Sequence, residues 1–240
     1  MLAEGSSKAS ELIGRGSNYY AMHIKGQELY ETLRGSIGWC LGTTTSTRGG
    51  GHTTGTVIDS RAGYDENDAN KARQIYGITS PHLPLEYDGK AKMVLYMEAL
   101  HRVSNSLGIC HMNTIWWDIA LMDIVDMAEL YSAATGWETT DEDLKIIAMK
   151  QINLEKALNL RHTKFDRKDD LPTLRDFSEP IPEGKLSGWK LDENKFNKVL
   201  DEYYELHGWD KETSYPTRET LVNLGLKYVA DELGKNGKIS

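Results

Sequence analysis

The chain has 240 residues, of which 39% are hydrophobic and 27% are charged. This composition is typical of a folded globular protein and excludes a disordered tail. The net charge of −8, without a basic stripe, argues against nucleic-acid binding. The longest apolar stretch, residues 115–131, contains four acidic residues, so we expect no membrane span. The first residues do not resemble a secretory signal, and we expect a cytoplasmic protein.

Glycine is concentrated early, because twelve of the 22 glycines lie between residues 5 and 63. This part predicts a helix ending at Gly14, a strand-like run over residues 19–24, and irregular backbone over residues 33–63. Helical patterns dominate afterwards. They predict helices over residues 65–76, 90–103, 114–134, 139–161 and 192–206, and a last helix that begins after Thr217 and is weakened at Gly225.

Two further details follow from the pattern. The helix over residues 114–134 is mostly apolar, so we expect it to be buried on more than one side, and Thr139 with Glu142 predicts a capping box for the next helix. Residues 162–190 hold three prolines and predict an extended surface connection. We therefore predict a mainly α-helical protein with two parts, a glycine-rich segment over residues 1–63 and a helical domain over residues 64–240.

The first candidate site is the glycine- and threonine-rich segment at residues 42–55. Its glycines, Gly49 and Gly50 among them, allow backbone amides to approach a ligand closely. Arg48 is suited to binding phosphate or another anion, and His52 to transferring protons near neutral pH. The alternative is a flexible polar loop with a solvated histidine, since the spacing matches neither common nucleotide-binding fingerprint.

The second candidate site is the run Asn105 to Cys110, at the end of a predicted helix. The Cys110 thiolate is a possible metal ligand, and Asn105 with the amides around Gly108 and Ile109 is suited to hydrogen-bonding a heterocycle. The alternative is a structural cysteine buried at a helix start. The remaining histidines, including His101, are interpreted as structural or solvated, and Trp116 and Trp117 are interpreted as core residues.

Taken together, these segments resemble the C-terminal part of the tungsten-containing aldehyde ferredoxin oxidoreductase family. The matching segments follow one order along nearly the whole chain: LAEG at 2–5, ASE at 9–11, HIKGQEL at 23–29, TSTRGGGH at 45–52, NSLGIC at 105–110, NLE at 153–155, NLR at 159–161, RKDDLP at 167–172, DEYY at 201–204, GWD at 208–210, PTR at 216–218 and LGL at 224–226.

The resemblance implies a helical fold, a tungsten (or molybdenum) atom held by two pterins, and one 4Fe-4S cluster. It implies that Arg48, Gly49, Gly50, Asn105, Gly108 and Ile109 contact the pterin cofactor. It further implies that His52 lies near the metal as the proton-transfer residue, and that Cys110 is one ligand of the cluster. The family pattern has aspartate where this chain has Asn105, which keeps a hydrogen-bonding group but loses a charge.

The implied activity is oxidation of an aldehyde to a carboxylic acid, with ferredoxin or an iron–sulfur subunit as the electron acceptor. The family's N-terminal domain and its three-cysteine cluster motif have no counterpart in this sequence. We therefore interpret the sequence as a fragment, as a split-gene subunit whose N-terminal part is a separate chain, or as a partial gene product. Two alternatives stay open. One is a fragment of the catalytic subunit of a tungsten-dependent benzoyl-CoA reductase, and the other is a non-catalytic subunit that retains the fold.

Overall fold

The computed structural model describes residues 4–29, 31–57 and 65–240, and the described part is mainly helical, as predicted. The first part contains α1 (Gly5–Ile13), a hairpin of β1 (His23–Ile24) and β2 (Gln27–Glu28), and α2 (Ile37–Thr45). Longer helices follow: α3 (Glu66–Tyr76), α4 (Lys90–Leu107), α5 (Ile124–Thr135), α6 (Asp141–His162), α7 (Leu174–Ser178), α8 (Glu193–His207), α9 (Arg218–Asn223) and α10 (Lys227–Lys235). Short 3-10 helices lie at Ser17–Tyr19, His111–Asn113 and Arg167–Asp170.

Helix α4 lies at the centre of the fold and packs against α2, α6 and α8. Its inward side chains, Met93, Met97 and Leu100 among them, are fully buried in the main hydrophobic core. A smaller second core joins the end of α6 to α9 and α10. Burial of these apolar faces is the main favourable contribution to folding.

The helix ends follow local sequence signals. Helix α3 begins where the Asp65 side chain accepts a hydrogen bond from the Asp68 amide. Helix α6 begins at a capping box, but the pair is Thr140 with Asp143, one residue later than predicted. Helices α3, α4, α5 and α8 each end at a glycine in the left-handed conformation, which residues with a Cβ rarely adopt.

Helix α2 was not predicted, because its glycines and threonines hide its period. The Ser36 side chain caps it by accepting a hydrogen bond from the Trp39 amide. Its Gly38 and Gly42 lie on one face, and a Cβ on Gly42 would stand 2.6 Å from the carbonyl oxygen of Gly55. These glycines, unfavourable for an isolated helix, are needed for close packing, so tertiary contacts override propensity.

The prediction of one buried helix over residues 114–134 was wrong. Turns and a bridge between Thr114 and Met122 occupy the first half, and α5 begins only where Asp123 caps it. Trp116 is buried, but the expectation that Trp117 is a core residue was wrong, because its side chain on these turns is 55% exposed. Three residues of α5 are buried, whereas Leu130 is 50% exposed. Acidic residues that interrupt the apolar run mark a cap and a solvent face rather than a buried helix.

Three other expectations need correction. The strand over residues 19–24 is reduced to β1, because a 3-10 helix precedes it. The connection over residues 162–190 contains a 3-10 helix and α7, and its Asp170 and Asp176 are buried. The last helix is divided into α9 and α10 at Gly225, whose φ is +74°.

Asp170 joins the first part of the chain to the last. Its carboxylate pairs with Lys25 at 2.5 Å and with Lys156 at 3.6 Å, and accepts a hydrogen bond from Tyr204 at 2.7 Å. Burial raises the pKa of Asp170, but Lys25 and Lys156 outweigh it, and the pKa lies below its ordinary value. The carboxylate is therefore ionised, and Lys25 also donates to the carbonyl oxygens of Thr44 and Ser46 at the end of α2.

The expected boundary between residues 63 and 64 lies outside the described residues and stays a prediction. The main core includes residues from both sides of it, from Ile24 to Trp209. Within the described ranges, no helix is long and apolar enough to cross a membrane.

Candidate cofactor site

A polar cavity of about 530 Å³ lies between α4, α6 and the loop that follows α2. The loop contributes Thr47, Arg48, Thr53 and Thr54, α4 contributes His101, Arg102 and Asn105, and α6 contributes Glu155, Leu158 and Asn159. Most of these side chains are hydrogen-bonding groups, and two are arginines. The cavity therefore has the chemistry of a site for a polar, anionic ligand.

The glycines of the loop contact the β1–β2 hairpin. A Cβ on Gly49, whose φ is +93°, would stand 2.8 Å from the Ile24 carbonyl oxygen, and one on Gly50 would stand 2.7 Å from that of Gln27. Both glycines are buried. Their observed role is to let two backbones approach each other, and neither lines the cavity formed by the described residues. Their predicted contact with a cofactor stays a prediction.

Glu155 connects all three walls of the cavity. One of its carboxylate oxygens, Oε2, accepts hydrogen bonds from the Arg102 guanidinium at 2.6 Å and from the Thr47 hydroxyl at 2.7 Å. One turn further along α6, the Asn159 side chain donates to the Thr47 carbonyl oxygen at 2.7 Å. The loop is thus fastened to α6 at Thr47, immediately before Arg48.

His101 is a neutral imidazole in this cavity. Burial, together with the neighbouring His111, Arg102 and Arg48, lowers its pKa to about 3. The Arg102 guanidinium lies 3.2 Å from Nδ1, and the Asn105 side-chain nitrogen lies 3.3 Å from Nε2. The ring is therefore held by polar contacts at both of its nitrogens.

His52 is held between two tryptophans rather than solvated. Its ring stacks on Trp39 at a centroid distance of 5.1 Å and lies parallel to Trp116 at 6.4 Å. The Trp116 indole is fixed by a hydrogen bond to the Thr56 carbonyl oxygen, and the Thr56 hydroxyl donates to the His52 carbonyl oxygen. The alternative of a flexible loop with a solvated histidine does not describe this arrangement.

Cys110 is exposed and follows the end of α4. The alternative of a cysteine buried at a helix start was therefore wrong. Gly108 ends α4 with a φ of +71°, and the Ile109 amide donates to the Ser104 carbonyl oxygen in the same turn. Among the described residues, no group of three or more His, Cys, Asp or Glu side chains is arranged to hold a metal ion. Any cluster ligand set that includes Cys110 needs further thiolates.

The structure brings Arg48 and Asn105 together in the cavity, although 57 positions separate them. His52 and Cys110, which the resemblance places near the metal and in the cluster, do not line this cavity. A series of aromatic contacts connects the two residues. His52 stacks on Trp116, and the Trp116 ring lies 5.2 Å from that of His111, the neighbour of Cys110. Their predicted roles stay predictions.

Sequence reasoning missed four cavity residues: His101, Arg102, Glu155 and Asn159. A signal existed, since His101 with Asn105 and Glu155 with Asn159 are both polar pairs at i, i+4 spacing. Such pairs lie on one face of a helix, and two of them on adjacent helices define a polar cleft. The sequence does not reveal that α4 and α6 are adjacent with these faces opposed.

Comparison with known proteins identifies the family of the chain. Residues 1–226 match the family described as "Aldehyde ferredoxin oxidoreductase, domains 2 & 3". A solved structure, the active-site complex BamBC of benzoyl coenzyme A reductase in complex with 1,5-dienoyl-CoA, has a chain that is similar with a TM-score of 0.74 and 24% identity. The match covers all of this chain and 38% of that one, so this chain spans well under half of its neighbour's length. Because the family model matches residues 1–226, nearly the whole length, the chain belongs to the aldehyde ferredoxin oxidoreductase family of oxidoreductases.

Proposed function

We propose that the chain is the C-terminal portion of a tungstopterin, iron–sulfur oxidoreductase that oxidises aldehydes to carboxylic acids. Ferredoxin or an iron–sulfur subunit accepts the electrons. The observation that carries the proposal is the cavity in which Arg48 of the glycine-rich loop meets Asn105 of the NSLGIC segment. Because the chain spans 38% of its structural neighbour, further residues supply the rest of the enzyme, on the same chain or on another one.

The residues of the cavity fit a pterin cofactor. A pterin offers a ring edge of alternating donors and acceptors together with a phosphate. The Asn105 amide and the neutral His101 ring are suited to the ring edge, and Arg48 is suited to the phosphate. The buried Nε of Arg102, a residue that lines the cavity, has no hydrogen-bond partner among the described residues.

The tungsten atom and the cluster need fewer protein ligands than the pterin does. In this proposal the dithiolene sulfurs of the pterins hold tungsten, and Cys110 gives the cluster one of its four thiolates. When bound, the tungstopterin would supply two-electron redox chemistry and the cluster would supply one-electron transfer. The exposure of Cys110 leaves its sulfur accessible to a cluster whose other ligands lie elsewhere.

In this proposal His52 is the proton-transfer residue of the reaction. Its Nδ1 is shielded from solvent, so we assign proton exchange to Nε2. The flanking Trp39 and Trp116 restrict the ring to one plane, which holds a proton-transfer group in a fixed orientation. Positioning of this kind is a large part of what general acid–base catalysis requires.

A second candidate is a catalytic-subunit portion of a benzoyl-CoA reductase. The similar fold of the BamBC chain favours it, and so do the two arginines of the cavity, since coenzyme A carries phosphates. A non-catalytic subunit with the same fold is the third possibility, and it differs in requiring no bound metal.

The test is co-expression of the chain with its N-terminal counterpart under anaerobic conditions, followed by metal analysis and assays. We expect the complex to contain tungsten and iron, and to reduce viologen dyes when aldehydes are added. Turnover of benzoyl-CoA without aldehyde oxidation would favour the second candidate. A complex that contains neither tungsten nor molybdenum would contradict both enzymatic proposals.

A further inference from the structure

Glu155 takes the hydrogen bonds that an anionic ligand of the cavity would need. Its Oε2 accepts from Arg102 and from Thr47, two of the donors that line the cavity. We propose that the Glu155 carboxylate occupies the position of a ligand's phosphate group, and that a phosphate-bearing ligand binds by displacing Glu155 from Arg102. This inference rests on the proposed function in one respect, that the cavity is the ligand site.

Arg102 is the fixed half of the pair. Its side chain is 5% exposed, and it is held at His101 Nδ1 as well as at Glu155. Its Nε is buried without a hydrogen-bond partner among the described residues. A single carboxylate oxygen cannot satisfy this guanidinium, whereas a phosphate presents several acceptor oxygens to it at once. Arg102 is therefore prepared for a ligand with more acceptors than Glu155 provides.

Glu155 is the movable half of the pair. Its side chain is 41% exposed, so water can receive the carboxylate when it leaves. Water solvates a separated carboxylate well at this exposure, whereas the buried Arg102 guanidinium needs a new anionic partner. The incoming phosphate provides that partner, and displacement of Glu155 also frees the Thr47 hydroxyl.

The charges of the cavity support a phosphate. His101 is neutral, so the charged lining residues are Arg48, Arg102 and Glu155. With Glu155 in place they sum to one positive charge, and with Glu155 turned to solvent two positive charges face the cavity. Two arginines match the charge of a phosphate monoester or a diphosphate. Arg48 stands at the exposed edge, where its guanidinium donates to Thr53 at 3.2 Å.

The test uses the 240-residue chain and inorganic pyrophosphate, with binding measured by isothermal titration calorimetry. E155Q removes the competing carboxylate, and we expect the affinity to rise about tenfold, which corresponds to a charge-assisted hydrogen bond. The matched control is E232Q, because Glu232 forms an exposed ion pair with Arg161 away from the cavity and the substitution changes the net charge equally. E232Q should leave the affinity as it is in the natural chain.

R48Q is the second variant, because Arg48 is exposed and its replacement does not disturb the core. We expect R48Q to weaken pyrophosphate binding about tenfold, with an unchanged thermal unfolding profile. Equal affinities for E155Q and E232Q, or no effect of R48Q, would overturn the inference. So would the absence of pyrophosphate binding by E155Q at millimolar concentration.

Competition distinguishes the source of the phosphate. Displacement of pyrophosphate by a pterin monophosphate supports the inference with the cofactor as ligand, and displacement by coenzyme A supports it with an acyl-CoA as ligand. Failure of both to compete would overturn it. These measurements need no metal, so they can fail while the co-expressed enzyme acquires tungsten, and the two failures are distinguishable.

Discussion

His52 is confined between Trp39 and Trp116, and its proposed role is proton transfer. We expect H52N, in the complex with the N-terminal counterpart, to lower aldehyde turnover about a hundredfold, as loss of a positioned acid or base does. Tungsten and iron contents should stay near those of the unmodified complex, because His52 is not a metal ligand in this proposal. Loss of tungsten from H52N, with unchanged activity per bound tungsten, would give His52 a structural role instead.

Cys110 differs from Cys40 in exposure, since Cys40 is fully buried in the core. We expect C110A to reduce the iron content and the electron transfer of the complex, because it removes one thiolate from the cluster. C40A is the comparison variant, and its effect should be confined to stability. Iron content that falls in C40A but not in C110A would contradict the assignment.

His101 gives the chain a pH dependence of stability. The unfolded chain takes up a proton on this residue near pH 6.5, whereas the folded chain, in which the pKa is about 3, does not. Stability is therefore lost as the pH falls from 6.5 toward 3, by up to about 1.4 kcal/mol per pH unit. We expect H101Q to flatten this loss in urea unfolding measured between pH 7 and pH 5. H162Q, at an exposed position, is the control, and equal pH dependence in H101Q and the natural chain would refute the argument.

At the scale of elements, the loop after α2 is fixed by backbone contacts. We expect G50A to destabilise the protein by about 1–3 kcal/mol, because its Cβ would stand 2.7 Å from the Gln27 carbonyl oxygen and one of the two backbones must shift. The control is G234A in α10, where the nearest atom is 3.7 Å away and alanine favours the helix. Chemical denaturation of the two variants provides the measurement. If G50A is as stable as G234A, the backbone of the β1–β2 hairpin shifts at little energetic cost, and the prediction is wrong.

Helices with strong local signals were predicted well from the sequence, and those that depend on partners were not. Asp65 and Gly77 delimit α3 by chemistry within the segment itself. Helix α2 depends on contacts of Gly38 and Gly42 with residues beyond the helix, which no local pattern contains. The same distinction applies to the site. Arg48 and Asn105 belong to recognisable motifs, whereas Arg102 and Glu155 gain their importance from the packing of α4 on α6.

At the scale of the whole molecule, the number of cysteine ligands limits which metal cluster this chain can hold. We expect the isolated 240-residue chain, purified without air, to contain no intact 4Fe-4S cluster, because one exposed cysteine supplies one of four thiolates. Iron and sulfide analysis together with EPR spectroscopy provides the measurement. A stoichiometric cluster with its EPR signal in the isolated chain would contradict the proposed division of ligands.

The contacts of His52 with two indoles make the loop observable by fluorescence. The His52 ring contacts both Trp39 and Trp116, so a change in its position alters the surroundings of these indoles and therefore their emission. Trp117 and Trp137, 55% and 72% exposed, are open to quenching by iodide, whereas the buried Trp209 contacts His207 and adds to the shielded emission. The difference between the emission of the natural chain and that of W39F therefore follows the loop in solution, before any metal is introduced.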